Sequence, residues 1–237
     1  MKRARLGPAF ILVCGLAAVA RAAEPAATNA AVADPDPARF AAEIKAFDTR
    51  DRKNSYPRDA VLFVGSSSIQ NWPTAEAFPD LAVINRGFGG SQISDVNHFF
   101  DEVVSKYRPK VIVFYSGDND IQAGKSPQQI FDDFAKFVAR VHQSLPDTHI
   151  ICLPVKPSQA RWEKWPQMQE TNALIAKLDR RDDRLEIIDT ATPLLGPDGK
   201  PRKELFLNDG LHLNAKGYAV WNEILAPNLK RVLGAQH

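Results

Sequence analysis

Four short stretches of this 237-residue chain carry side chains that could do chemistry. The first is Gly65-Ser66-Ser67-Ser68, a glycine followed by hydroxyl groups. A serine on a sharp turn into a helix exposes its hydroxyl, and its own N–H faces whatever that hydroxyl attacks. The second is Asn85-Arg86-Gly87-Phe88-Gly89-Gly90-Ser91. Its glycines let a ligand approach the backbone closely, and Gly90 stands just ahead of a helical pattern, where a free N–H can face an anion. The third is Ser116-Gly117-Asp118-Asn119-Asp120, in which the Asn119 amide is a neutral donor suited to an oxyanion. The fourth runs from Asn208 to Asn214 and sets Asp209 three residues before His212. There a carboxylate can orient an imidazole and stabilise it when protonated. Nucleophile, oxyanion donors, base and orienter are the set required for acyl transfer.

Each stretch also has a plainer role. Serines cap helices, Gly-Asp-Asn-Asp favours an Asx turn, and a lone histidine is more often structural. A nucleotide site is the obvious competitor for the glycines. However, Gln92 occupies the last glycine position of G-x-G-x-x-G, and no Walker A sequence is present. The scattered histidines and few cysteines form no zinc motif. No metal or organic cofactor is implied.

Position favours the chemical reading. Short apolar runs occur at Ala60–Val64, Leu81–Ile84, Val111–Tyr115, His149–Leu153 and Leu185–Ile188. They lack polar alternation, as strands buried on both faces do. Helical patterns lie between them. A first stripe, Phe40, Ile44 and Phe47, follows the Asp36-Pro37 start signal. Ile93, Val96, Phe100, Val103, Val104 and Tyr107 predict one helix ending before Pro109. Ser126-Pro127 starts another, and residues 167–181 predict a third. Asn214 caps the last, which Pro227 should kink or terminate. Alternating strands and helices imply a parallel sheet with helices on both faces. Ligands bind such sheets beyond the carboxyl ends of the strands. The first three stretches begin there, and the fourth, near the C-terminus, stands just before a capped helix.

With those residues in place, the sequence resembles the SGNH hydrolases, or GDSL esterase-lipase superfamily, over about residues 60–233. The resemblance implies an α/β, three-layer α/β/α flavodoxin-like sandwich with a five-stranded parallel sheet in the order 2-1-3-4-5. It makes Ser67 the nucleophile, with Ser68 as runner-up. Ser67, Gly90 and Asn119 become the oxyanion hole, and Asp209 and His212 the acid and base. Ser66 replaces the family's namesake aspartate.

Other candidates are less defined. Arg86 and Phe88 on the glycine loop, and Arg161, Trp162 and Trp165 after the fourth run, are candidates to line a substrate pocket. The tryptophans could equally pack their segment onto the body. No extended apolar lid is evident, which favours short acyl groups such as acetyl. Thioesterase, lysophospholipase or acyltransferase activity on the same site, or a non-catalytic binding module, are the alternatives.

Residues 1–22 read as a signal peptide, with Lys2, Arg3 and Arg5, a 12-residue apolar run and Ala20-Arg21-Ala22. The protein is therefore expected to be exported, to the periplasm or beyond, with no stable membrane insertion after cleavage. Residues 23–35 read as a flexible leader and residues 36–237 as a single domain. The chain has 30 basic and 28 acidic residues, net +2. Cleavage would remove four basic and no acidic residues, leaving −2. Neither value suits a nucleic-acid binder. Cys152 would then be the lone cysteine, best read as a small buried hydrophobe. The expected partner is a small-molecule or glycan ester; the oligomeric state stays open.

Overall fold

The structure is a computed structural model and describes residues 31–234. Residues 1–22, expected to be a signal peptide, and residues 23–30 of the expected leader lie outside the described residues. The five apolar runs form the strands Val61–Gly65 (β1), Val83–Gly87 (β2), Val111–Tyr115 (β3), His149–Cys152 (β4) and Leu185–Ile187 (β5). They pair in parallel in the order β2-β1-β3-β4-β5, as the resemblance implied. β2 starts later than its apolar run because the Leu81 N–H closes a turn onto the Phe78 carbonyl. The helices are Ala41–Lys53 (α1), Ser67–Gln70 (α2), Thr74–Ala77 (α3), Ile93–His98 (α4), Phe100–Val103 (α5), Asp118–Gln122 (α6), Pro127–Ser144 (α7), Trp165–Asp179 (α8) and Ala215–Gly234 (α9).

Strand alternation divides the core in two. Leu62, Val64, Ile112 and Phe114 face one layer, with α1, α4, α5, α7 and α8. Val61, Phe63, Val113 and Tyr115 face the other, with α2 and α9. Cys152 is buried, and burial pushes its thiol up, away from the thiolate a nucleophile needs.

One helix expectation is corrected and a second is narrowed. The stripe from Ile93 to Tyr107 is not one helix. It breaks into α4, α5 and a 3₁₀ turn at Ser105–Tyr107. All six apolar residues are nonetheless buried. All six positions lie within one ~100° apolar arc of an ideal helix, so the apolar spacing alone does not reveal the break. Arg140 Nη1 donates to the Asn97 carbonyl at the break. At Pro227, where a kink or a stop is expected, α9 does not stop: it runs on to Gly234. Pro227 and Glu223 share the exposed side, while Leu225 and Leu229 are buried. The carbonyl that loses its partner can therefore face water.

The described end of the leader lies on α7. Val32 N–H donates to Gln129 Oε1 at 3.3 Å, and Gln129 Nε2 donates to the Val32 carbonyl at 3.1 Å. Asp34 pairs with Lys125 at 2.7 Å. Asp36 then caps the turn Pro37–Phe40 that leads into α1.

The carboxyl ends of the central strands come very close. Gly65 has φ +139°, and a Cβ there would sit 1.8 Å from the Tyr115 carbonyl oxygen. Gly65→Ala should therefore destabilise the protein well beyond the ~1 kcal/mol of an ordinary substitution. Urea unfolding measures this; an unchanged midpoint would contradict this account of the turn.

Candidate active site

The Gly65 turn delivers three serines in three directions. Ser66 N–H is held by the Tyr115 carbonyl at 3.0 Å. Ser66 and Ser68 are 0% and 1% exposed, whereas Ser67 is partly open. Two contacts anchor α2 beneath it. Asn85 Nδ2 donates to the Ile69 carbonyl at 2.7 Å, and the Tyr218 hydroxyl donates to the Ser68 carbonyl at 2.9 Å. Of the three hydroxyls, Ser67 Oγ alone meets the histidine: His212 Nε2 lies 3.0 Å away.

The loop before α9 holds the other half. Asp209 Oδ1 accepts from the N–H groups of Leu211 and His212 at 2.8 and 3.0 Å. Its Oδ2 lies 2.6 Å from His212 Nδ1. Slight burial raises the Asp209 carboxyl, but hydrogen bonds from the His212 ring and these two N–H groups outweigh it and hold it at about 2. Asp209 therefore stays charged throughout the range in which an imidazole titrates. A carboxylate facing Nδ1 fixes the proton there and leaves Nε2 free to accept from Ser67. Asn214 ties the loop down, donating to the Glu204 and Phe206 carbonyls and accepting from the Lys216 and Gly217 N–H groups.

Asn119 and Asp120, both on α6, grip the glycine loop. Asn119 Nδ2 donates to the Ser91 carbonyl at 3.0 Å. The Asp120 carboxylate accepts from the Ile93 N–H at 3.2 Å. Burial pushes the Asp120 carboxyl up to about 7, against the Lys125 ammonium and the Ile93 N–H. Gly90 has φ +80°, and a Cβ there would meet nothing within 4 Å. Glycine is needed for that dihedral rather than for space. Among the described residues, the N–H groups of Ser67 and Gly90 donate to no protein acceptor. With the second hydrogen of Asn119 Nδ2, they are unpaired donors on the loops that follow β1, β2 and β3.

The pocket candidates divide. Arg86 is turned to α1, where it pairs with Asp51 and Tyr107 and lies over the Phe47 ring. Phe88 is fully buried against Phe40 and Phe99. Neither is brought to Ser67. Both face the α1 layer, whereas α2 lies on the opposite one. Arg161 does reach the site, but its guanidinium meets Asn119 and Asp118. Trp162 and Trp165 stack on each other, 6.1 Å apart and 15° from parallel. Both are half-buried, and Trp165 also packs on the core. The Ala160 N–H to Gly210 carbonyl bond, 3.1 Å, fastens their segment to the Asp209 loop. Sequence reasoning missed Asp118, Asp120 and Lys156. The first two read only as turn formers. The signal for Lys156 was a lone cation directly after the apolar stretch 150–155.

A parallel α/β/α sandwich that lines up serine, histidine and aspartate at its strand ends, beside free N–H donors, is built as a serine ester hydrolase. Residues 64–220 match the model of the GDSL-like lipase/acylhydrolase family, and the chain belongs to that family of SGNH ester hydrolases. Solved structures share the fold. A GDSL-like lipase from Bacteroides thetaiotaomicron is 18% identical, with TM-score 0.68, over 80% of this chain and 98% of that one. A carbohydrate esterase family 3 protein from Talaromyces cellulolyticus is 16% identical, with TM-score 0.61, over 74% and 98%. An acetyl xylan esterase is 19% identical, with TM-score 0.59, over 70% and 98%. A search of curated proteins returned no match. Among the described residues, no helix is long and apolar enough to cross a membrane.

Asn119→Ala should lower kcat by roughly 10²-fold and leave KM largely alone, because an oxyanion donor acts mainly in the transition state. An unchanged kcat in steady-state ester hydrolysis would remove Asn119 from the site.

Proposed function

We propose that the protein is an exported serine esterase that removes short acyl groups, above all acetyl, from carbohydrate esters. The observation that carries the serine mechanism is the continuous line from Asp209 Oδ2 through His212 to Ser67 Oγ, at 2.6 and 3.0 Å. Ser67 Oγ attacks the ester carbonyl while His212 Nε2 takes its proton. The oxyanion is held by the N–H groups of Ser67 and Gly90 and by Asn119 Nδ2. His212 then gives its proton to the leaving alcohol, and a water activated by His212 releases the acid and frees Ser67. Asp209 keeps Nδ1 protonated throughout.

Short acyl groups are favoured by what stands beside the nucleophile. A Cβ built at Gly89 would lie 2.6 Å from Gln70 Oε1 and 3.7 Å from Ser67 Cβ. A polar carboxamide therefore borders the approach to Ser67, where a long alkyl chain needs apolar wall. Carbohydrate as the alcohol is supported by the stacked Trp162–Trp165 pair beside the Asp209 loop, since a sugar face packs well on indole. Neighbours named as a carbohydrate esterase and an acetyl xylan esterase agree with that choice. Export rests on the signal-like residues 1–22 alone.

Para-nitrophenyl acetate should be hydrolysed, and Ser67→Ala should abolish turnover with folding unchanged. A para-nitrophenyl series should peak at short chains, and acetylated xylan should release acetate. A peak at long chains would overturn the acyl assignment. Activity surviving in Ser67→Ala would overturn the nucleophile. Combining Ser67→Ala with His212→Ala should be little worse than either alone, because the groups act as a unit; losses that multiply would contradict that mechanism.

A further inference from the structure

Asn119 is the one side chain among the three proposed oxyanion donors, and a side-chain amide can turn over. Flipped, it would present oxygen to a developing negative charge. Two contacts forbid this. The Ser91 carbonyl only accepts, and it takes one hydrogen of Asn119 Nδ2 at 3.0 Å. The Arg161 guanidinium only donates, and its Nη2 gives to Asn119 Oδ1 at 3.1 Å. A flip would set donor against donor and acceptor against acceptor. The amide is locked with its second N–H free.

Arg161 is itself anchored. Its Nη1 lies 3.1 Å from Asp118 Oδ2, a charge pair set off the hydrogen-bonding line. Its side chain is 13% exposed and that of Asp118 is 4% exposed. Behind them the buried Lys156 Nζ sits 3.8 Å from the same carboxylate oxygen. Burial pushes the Lys156 ammonium down, and Asp118 pulls it partly back. One planar fork thus spans Asp118 and Asn119, consecutive residues of α6. Donation from a cation also draws electron density onto Oδ1 and sharpens the N–H as a donor.

We propose that Arg161 is a positioning residue for ester hydrolysis: it fixes and polarises the Asn119 amide towards the oxyanion and does not bind the substrate. The proposal rests on the serine esterase reading above. Its prediction is a coupling, which a substrate-binding or merely structural arginine lacks.

The test is a double-mutant cycle in para-nitrophenyl acetate hydrolysis, with Ser67→Ala as the baseline. Arg161→Ala should lower kcat about tenfold with KM little changed, part of the value of one oxyanion donor. In the Asn119→Ala background the same change should cost less than about twofold. Arg161→Lys keeps a charge for Asp118 but cannot span both residues. It should preserve the melting temperature and still lower kcat, which keeps the test valid if Arg161→Ala folds poorly. Equal losses in both backgrounds, a loss carried by KM, or unchanged kcat in Arg161→Lys would overturn the positioning role. Turnover that persists in Ser67→Ala would instead overturn the esterase mechanism, and so separates the two failures.

Discussion

The site depends on one backbone approach, the passage of Gly65 over the Tyr115 carbonyl at the ends of β1 and β3. That carbonyl takes the Ser66 N–H, and the Gly65 carbonyl takes the Phe88 N–H. Three neighbouring strands are thereby closed at their carboxyl ends by hydrogen bonds between the loops that leave them. The nucleophile turn follows β1, the glycine loop follows β2, and Asn119 lies four residues beyond β3. A parallel sheet sets these strand ends side by side, so loops far apart in sequence can share one reacting atom. Any side chain at Gly65 would separate β1 from β3 and spread all three.

Two buried charge clusters stand on either side of Asn119. Lys156, Asp118 and Arg161 form one; Lys125, Asp120 and Asp133 form the other. Buried ion pairs contribute little net stability, because desolvation offsets most of their attraction. Their consequence here is orientation. Asp120 fixes the start of α4, and Arg161 fixes the amide of its neighbour. α6 is only five residues long and has few apolar contacts of its own to hold it. Directional polar contacts supply what packing cannot.

Much of this was legible in the sequence, and the rest failed for identifiable reasons. Buried strands show as unbroken apolar runs, so five strands and the loops beyond them could be placed. Parity could not be read in the same way. A run buried on both faces does not reveal which layer a residue joins, so Arg86 and Phe88 looked available when both face α1. Periodicity also overcommitted at Ile93–Tyr107, where the apolar stripe holds but the helix does not. At Pro227 the residue rule left a kink and a stop open, and burial on both sides of the proline carries α9 through without a stop. Ion partners such as Lys156 and Asp118 lie 38 positions apart, and no local pattern joins them.

Ser66, in the place of the family's namesake aspartate, fits the same physics. Its side chain is wholly buried, and its N–H is tied to β3. A carboxylate there would need its own partners, as Asp118 and Asp120 do on either side of Asn119. A hydroxyl needs no ion pair. Because Ser66 and Ser67 leave the turn in different directions, the exchange leaves the line from Ser67 through His212 to Asp209 intact. What must be kept at this turn is the glycine that admits the close approach and the serine that meets the histidine. The residue between them is buried here, with the Ser66 hydroxyl making no hydrogen bond among the described residues.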